Sequence, residues 1–182
     1  MSAVLILPGL YNSGPEHWQT AWEQRFPWLQ RVQQNDWETP CCDDWVAALE
    51  AAVQRTGDDV VLVAHSLACT LVACWAARHP RRIRGALLVA PSDTEATSYP
   101  PGTRGFTPMP QQRLPFRSLL LASCDDPYVS LPRARQLARD WGSEFVEVGA
   151  LGHIGSASAL GMWPTGLCHL AELSGDPRYL LD

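Results

Sequence analysis

A chain of 182 residues is long enough to bury a sizeable core within one domain, and 46% hydrophobic against 18% charged residues is the balance of an ordinary globular protein. The net charge of −5 comes with no basic stretch, which argues against nucleic acid as a partner. The opening run ending at Pro8-Gly9 has no positive flank and is too short for a signal peptide, and no apolar stretch approaches the roughly 20 residues of a membrane helix. A soluble, cytoplasmic protein that does not engage membranes is therefore expected.

In chain order, Val4–Leu7 reads as a first strand, followed by a helix from Pro15 to Arg25 and a weaker strand signal at Arg31–Asn35. Pro40 and the acidic pair Asp43-Asp44 open a helix that runs to Arg55, since acidic residues in a first turn complement the positive end of the helix dipole. Val60–Ala64 is a continuous apolar run, as a central parallel strand covered on both faces requires. Leu67–Arg78 is the next helix, closed by His79-Pro80. Strands are predicted at Gly85–Ala90, Ser118–Ala122 and Phe145–Val148, and helices at Leu131–Trp141 and Thr165–Leu173. Alternating strands and helices imply a parallel sheet sandwiched between helices, with ligands at the carboxyl ends of the strands. The irregular stretch from Ser92 to Pro115 follows a strand end and is expected to overhang that edge. No internal repeat or second domain is evident.

The six cysteines lack paired CxxC spacing, which argues against a zinc site; Cys69, Cys74 and Cys124 read as small core residues, and Cys41-Cys42 as a helix start. No metal or cofactor is implied.

The main chemical signal is Ala64-His65-Ser66-Leu67-Ala68 between a buried strand and a helix. A nucleophilic serine in such a turn needs small residues two places before and after it, and the alanines meet that need where glycines are more usual. The turn also sets the Leu67 N–H at a helix start, where it can stabilise an oxyanion. The plain alternative is that Ser66 only caps the helix. A serine nucleophile needs a base, and the base an orienting carboxylate, each past a strand end in the order Ser, acid, His. Asp125 and Asp126 follow one strand and His153 another, with Asp93 a further acid past a strand end. Asp126, biased to an extended conformation by Pro127, is favoured over Asp125, which can instead bond within its own turn. His65, His79 and His169 read as structural, with His65 facing away from the nucleophile. In the loop Pro8–Gly14, Gly9 permits close backbone approach, and the Leu10 N–H is the best candidate for a second oxyanion donor; the alternative is a plain turn. Trp22, Trp45, Trp75 and Trp141 read as packing residues. His17, Trp18, Phe106 and Trp163 are candidate pocket residues, with Met109 beside Phe106; Trp163 is expected to close one side of the site and Phe106 the other.

These motifs resemble the compact, lidless α/β-hydrolases typified by the retinoblastoma-binding serine hydrolase and its bacterial relatives. The markers are Pro8-Gly9 with His17-Trp18, the Ser66 segment, Ala90-Pro91-Ser92-Asp93, Leu114-Pro115-Phe116, Ser123-Cys124-Asp125-Asp126-Pro127, and Gly152-His153-Ile154 followed by Trp163-Pro164-Thr165-Gly166. The last block looks like the bacterial branch. The resemblance implies an α/β-hydrolase fold with a roughly six-stranded parallel sheet, the second aspartate of the Asp-Asp-Pro unit as triad acid, and reactivity toward simple esters. Gly155 departs from an asparagine expected after Ile154, and the Leu-x-Cys-x-Glu motif of the animal member is missing, so no retinoblastoma-type partner is carried over. The expectation is a carboxylesterase with Ser66, His153 and Asp126 as its triad and a small-molecule ester as its substrate. The alternatives are an interaction module with a vestigial site and an acyltransferase.

Overall fold

The computed structural model describes residues 2–181. Six strands, β1 (Ala3–Leu7), β2 (Leu29–Arg31), β3 (Val60–His65), β4 (Gly85–Val89), β5 (Ser118–Ala122) and β6 (Glu144–Glu147), form one sheet in the order β2-β1-β3-β4-β5-β6. All neighbours run parallel. Among the described residues the α-helices are α1 (Trp18–Arg25), α2 (Cys42–Thr56), α3 (Leu67–Arg78), α4 (Leu131–Trp141) and α5 (Pro164–Ser174).

Alternate residues of the central strands feed two separate cores, as the two-residue period of a strand dictates. Leu5, Leu7, Leu62, Ala64, Leu88 and Leu120 face α2, α3 and α4. Val4, Ile6, Val61, Val63, Val89 and Leu121 face α1 and α5. Because both faces are covered, the central strands carry no polar face, which is why they read as unbroken apolar runs. The second strand is Leu29–Arg31 rather than the predicted Arg31–Asn35: Leu29 pairs with Val4, because Leu29 and Val32 are the residues with apolar surface to bury at that edge. Cys124 is exposed rather than in the core, since it lies beyond the end of β5.

The strand order reverses direction between β1 and β3. At such a switch point the connections leave in opposite directions and open a crevice above the strand ends. The loop after β1 and the turn after β3 therefore share one cleft. No helix among the described residues is long and apolar enough to cross a membrane.

The segment after β4 is irregular but well anchored. Cys42 N–H donates to the Arg104 carbonyl, Arg104 N–H to that of Pro40, and Trp141 Nε1–H to that of Pro110. Phe106 and Met109 are buried in the α2–α4 core, with Phe106 edge-on to Trp45. They do not cover the cleft as expected, because large apolar side chains in a loop lose more water by packing onto α2 than by standing over a polar site.

Candidate active site

The backbone at Ser66 has φ 59° and ψ −122°, a conformation that side-chain-bearing residues adopt only when their surroundings impose it. Here β3 fixes one side, the Ser66 N–H donates to the Val89 carbonyl of β4 at 3.0 Å, and α3 begins at the next residue. Gly9 of the β1 loop is pressed against this turn. A Cβ there would lie 2.8 Å from the His65 carbonyl oxygen and 2.9 Å from Ser66 Cβ. Only glycine lets the two loops approach so closely. Leu67 occupies the first helical position, where the N–H has no intrahelical acceptor. Leu10, next to Gly9, lines the cleft.

The structure brings Ser66, His153 and Asp126 together. His153 Nε2 lies 2.8 Å from Ser66 Oγ, and its Nδ1 lies 3.0 and 2.9 Å from the two carboxylate oxygens of Asp126. With Nδ1–H committed to the carboxylate, Nε2 presents a lone pair and the serine hydroxyl donates to it. The Asp126 side chain is fully buried, and its Oδ1 also accepts the Tyr128 N–H at 2.8 Å. Asp125 does different work. Its Oδ1 accepts the Gly152 N–H at 2.8 Å and the Ser123 hydroxyl at 2.7 Å, and Ser123 Oγ accepts the Leu151 N–H at 2.9 Å. Asp125 therefore ties the His153 loop to the end of β5 and does not touch the imidazole. These bonds hold its carboxyl below the usual carboxylate range. Asp93, the other acid past a strand end, faces the Arg133 guanidinium at 3.4 Å.

Sequence reasoning missed a pair of buried imidazoles behind His153. Gln19 N–H donates to His17 Nδ1 at 3.1 Å, His17 Nε2 lies 3.3 Å from His65 Nδ1, and His65 Nε2 lies 2.9 Å from the His153 carbonyl oxygen. A backbone N–H can only donate and a carbonyl can only accept, so the direction of the chain is fixed. His17 carries its proton on Nε2 and His65 carries its own on Nε2, and both rings are neutral. Burial first, with the charges of Arg31 and His153 next, pushes His17 down to about 4. Burial, then the neighbouring His17 and His153, pushes His65 well below the ordinary histidine value. His65 thus grips the backbone of His153 rather than facing idle core. A Cβ at Gly155 would meet the His65 ring at 3.6 Å, so the absent asparagine side chain would project toward this pair.

The cleft is lined by Leu10, Tyr11, Ser66, Ser92, Tyr99, Pro100, Tyr128 and His153 and encloses about 120 Å³. His17, Trp18, Phe106 and Trp163 are not among its walls. His17 and Trp18 lie behind the His153 loop, where the Trp18 indole donates to the Ile154 carbonyl at 2.7 Å. Trp163 packs on Trp18 and Trp22, and a Cβ on Gly166 would sit 2.2 Å from its ring. That contact gives Trp163-Pro164-Thr165-Gly166 its physical sense: the glycine lets the indole lie flat on the first turn of α5. These aromatic residues support the site from beneath because indoles are large and apolar, and the space under the loop is where they lose most water. The actual walls Tyr11, Tyr99 and Tyr128 sit in turns with no periodicity to mark them. Among the described residues no cluster of three or more His, Cys, Asp or Glu could hold a metal ion.

A six-stranded parallel sheet with helices on both faces, a strained serine at the switch-point crevice and an imidazole–carboxylate pair against it define the α/β-hydrolase class. The serine hydrolase family model matches residues 4–172, and the chain belongs to that family. A YdeN-like hydrolase from Pectobacterium atrosepticum is 32% identical over 100% of this chain and 94% of its own, with a TM-score of 0.84. The ydeN gene product of B. subtilis has 20% identity over 96% and 100% of the two chains, with a TM-score of 0.81. Est1E of Butyrivibrio proteoclasticus, solved with ferulic acid bound, shares the fold at 11% identity and a TM-score of 0.71, over 96% and 90% of the chains. No curated relative matches the chain by sequence.

Proposed function

We propose that the protein is a carboxylesterase that acts on small or medium, uncharged acyl esters through an acyl-enzyme on Ser66. The observation that carries this reading is the continuous line from Asp126 through His153 to Ser66, with 2.9 Å and 2.8 Å contacts at the two ring nitrogens. Ser66 Oγ attacks the ester carbonyl while His153 Nε2 takes its proton. Asp126 holds the ring in the tautomer that can accept and steadies the imidazolium. The Leu67 and Leu10 N–H groups receive the oxyanion, as donors already aimed where the charge develops. The alcohol leaves with the proton from Nε2, and water then repeats the sequence on the acyl group.

The cleft supports a modest, neutral acyl group. Its lining carries no Asp, Glu, Lys or Arg. A cleft of about 120 Å³, open on one side to solvent, suits a small or medium acyl group. The assembled geometry favours a working site over an interaction module with a vestigial one.

The test is pre-steady-state hydrolysis of p-nitrophenyl acetate and butyrate. A burst approaching one equivalent, and labelling of Ser66 by a fluorophosphonate, are expected. Full labelling or undiminished turnover in Ser66→Ala would overturn the reading. Product analysis with added alcohols separates hydrolysis from acyl transfer.

A further inference from the structure

The hydroxyl of Ser92 lies 2.6 Å from Ser66 Oγ, on the short side for a hydroxyl pair, and has no role in the steps above. Ser66 Oγ has one proton and two lone pairs. Its proton is directed at His153 Nε2. The bond between the two hydroxyls must therefore run from Ser92 to Ser66. Ser92 is 2% exposed, and among the described residues this is its only hydrogen bond. Its position is held from both sides. Ala90, two residues earlier, takes a left-handed turn at φ 49°. The next residue, Asp93, donates its N–H to the Tyr128 carbonyl at 3.0 Å and faces Arg133 through its carboxylate.

We infer that Ser92 is a further catalytic residue whose hydroxyl donates to Ser66 Oγ and speeds the departure of that oxygen from the acyl-enzyme. The inference rests on the reading of Ser66 as the acylated nucleophile. In the free enzyme Oγ already receives the Ser92 bond, so acylation starts from a ground state that enjoys it and gains little more. In the acyl-enzyme Oγ is an ester oxygen whose electrons are shared with the acyl carbonyl, and it accepts poorly. During deacylation the water oxygen bonds to the acyl carbon and its proton passes to His153 Nε2. The carbon–Oγ bond then breaks, its electron pair returns to Oγ, and Oγ recovers a proton from Nε2 as the carboxylic acid leaves. Negative charge grows on Oγ in that step, and a bond from Ser92 strengthens as it grows. The contribution is thus concentrated in the second half-reaction.

The experiment is stopped-flow and steady-state turnover of p-nitrophenyl acetate by the wild type, Ser92→Ala and Ser92→Thr, with intact-mass measurement of the acyl-enzyme and thermal midpoints for each. For Ser92→Ala the deacylation rate should fall about 10- to 100-fold, the effect of one charge-assisted hydrogen bond, while the burst rate stays within about 3-fold. The acetylated species should accumulate. Ser92→Thr, which keeps a hydroxyl, should recover most of the deacylation rate. Equal loss in burst and steady-state rates, no loss in either, or a Ser92→Thr enzyme as slow as Ser92→Ala would overturn the inference. A wild-type burst with an unaffected Ser92→Ala removes Ser92 alone, whereas a wild type that never acylates at Ser66 removes the parent reading with it.

Discussion

Ser66 and His153 meet over 2.8 Å, yet the segments that carry them are built in opposite ways. Ser66 is the single strained residue between β3 and α3, and the strain is borne by strand pairing on one side and a buried helix on the other. His153 lies in an irregular stretch where Gly149, Gly152, Ile154, Ala159, Gly161 and Trp163 all take positive φ. That stretch is shaped from outside. Trp18 and Trp22 donate to the Ile154 and Met162 carbonyls, His65 to that of His153, and Asp125 receives the Gly152 N–H. A hydroxyl held at one point is defined by two rigid elements; an oriented ring is defined by several distant anchors together.

The largest break falls on the chemistry of the turn. Ser66→Ala should lower kcat/KM for a p-nitrophenyl ester by about 10³- to 10⁶-fold with the fold intact. Ser66→Gly should be equally inactive but more stable than Ser66→Ala by about 1–3 kcal/mol in urea melts, because glycine adopts φ 59° and ψ −122° without cost. A glycine variant no more stable than the alanine one would mean that the turn stores no strain.

The loop should be breakable from a distance. His65→Phe keeps a ring of similar size but removes the bond to the His153 carbonyl and leaves His17 Nε2–H without its acceptor. We expect kcat to fall about 10- to 100-fold, with KM little changed and stability lower by about 1–3 kcal/mol. Wild-type kcat in this variant would show that Asp126 and the indoles suffice to hold the loop.

Acid should act on the anchors of the loop. His17 is held at about 4 in the folded protein against about 6.5 when unfolded. The unfolded chain therefore binds more protons between these values. The stability contributed by keeping His17 neutral is complete above pH 6.5 and is lost as pH falls toward 4. Between pH 7 and pH 5 the loss for His17 is about 2 kcal/mol, readable as a drop in urea midpoint. His17→Asn, which keeps an acceptor at the helix cap, should flatten that dependence. An unchanged slope would assign it to other groups.

The smallest effect tests the regular side. Thr70 in α3 is fully buried, and its hydroxyl has no partner among the described residues. Thr70→Val should raise stability by about 1 kcal/mol in thermal or urea melts and leave kcat/KM unchanged. A loss of activity would show that α3 transmits packing changes to Ser66.

The sequence by itself determined all the elements but the second strand, and the elbow. Leu67–Arg78, Ser118–Ala122 and Leu131–Trp141 coincide with their observed bounds, because caps, glycine stops and apolar runs are local properties of the chain. That Ser66, Asp126 and His153 would meet was legible for a related reason: each follows a strand end, and parallel topology sends strand ends to one edge. The tertiary structure alone decided what surrounds them. No local rule places His17, Trp18 and Trp163 under the loop rather than in the cleft, buries Phe106 against Trp45, or turns His65 toward the His153 carbonyl. Those outcomes depend on which apolar surface is left uncovered once the sheet has closed, and on which buried donor must find an acceptor. Both are settled between residues far apart in the chain.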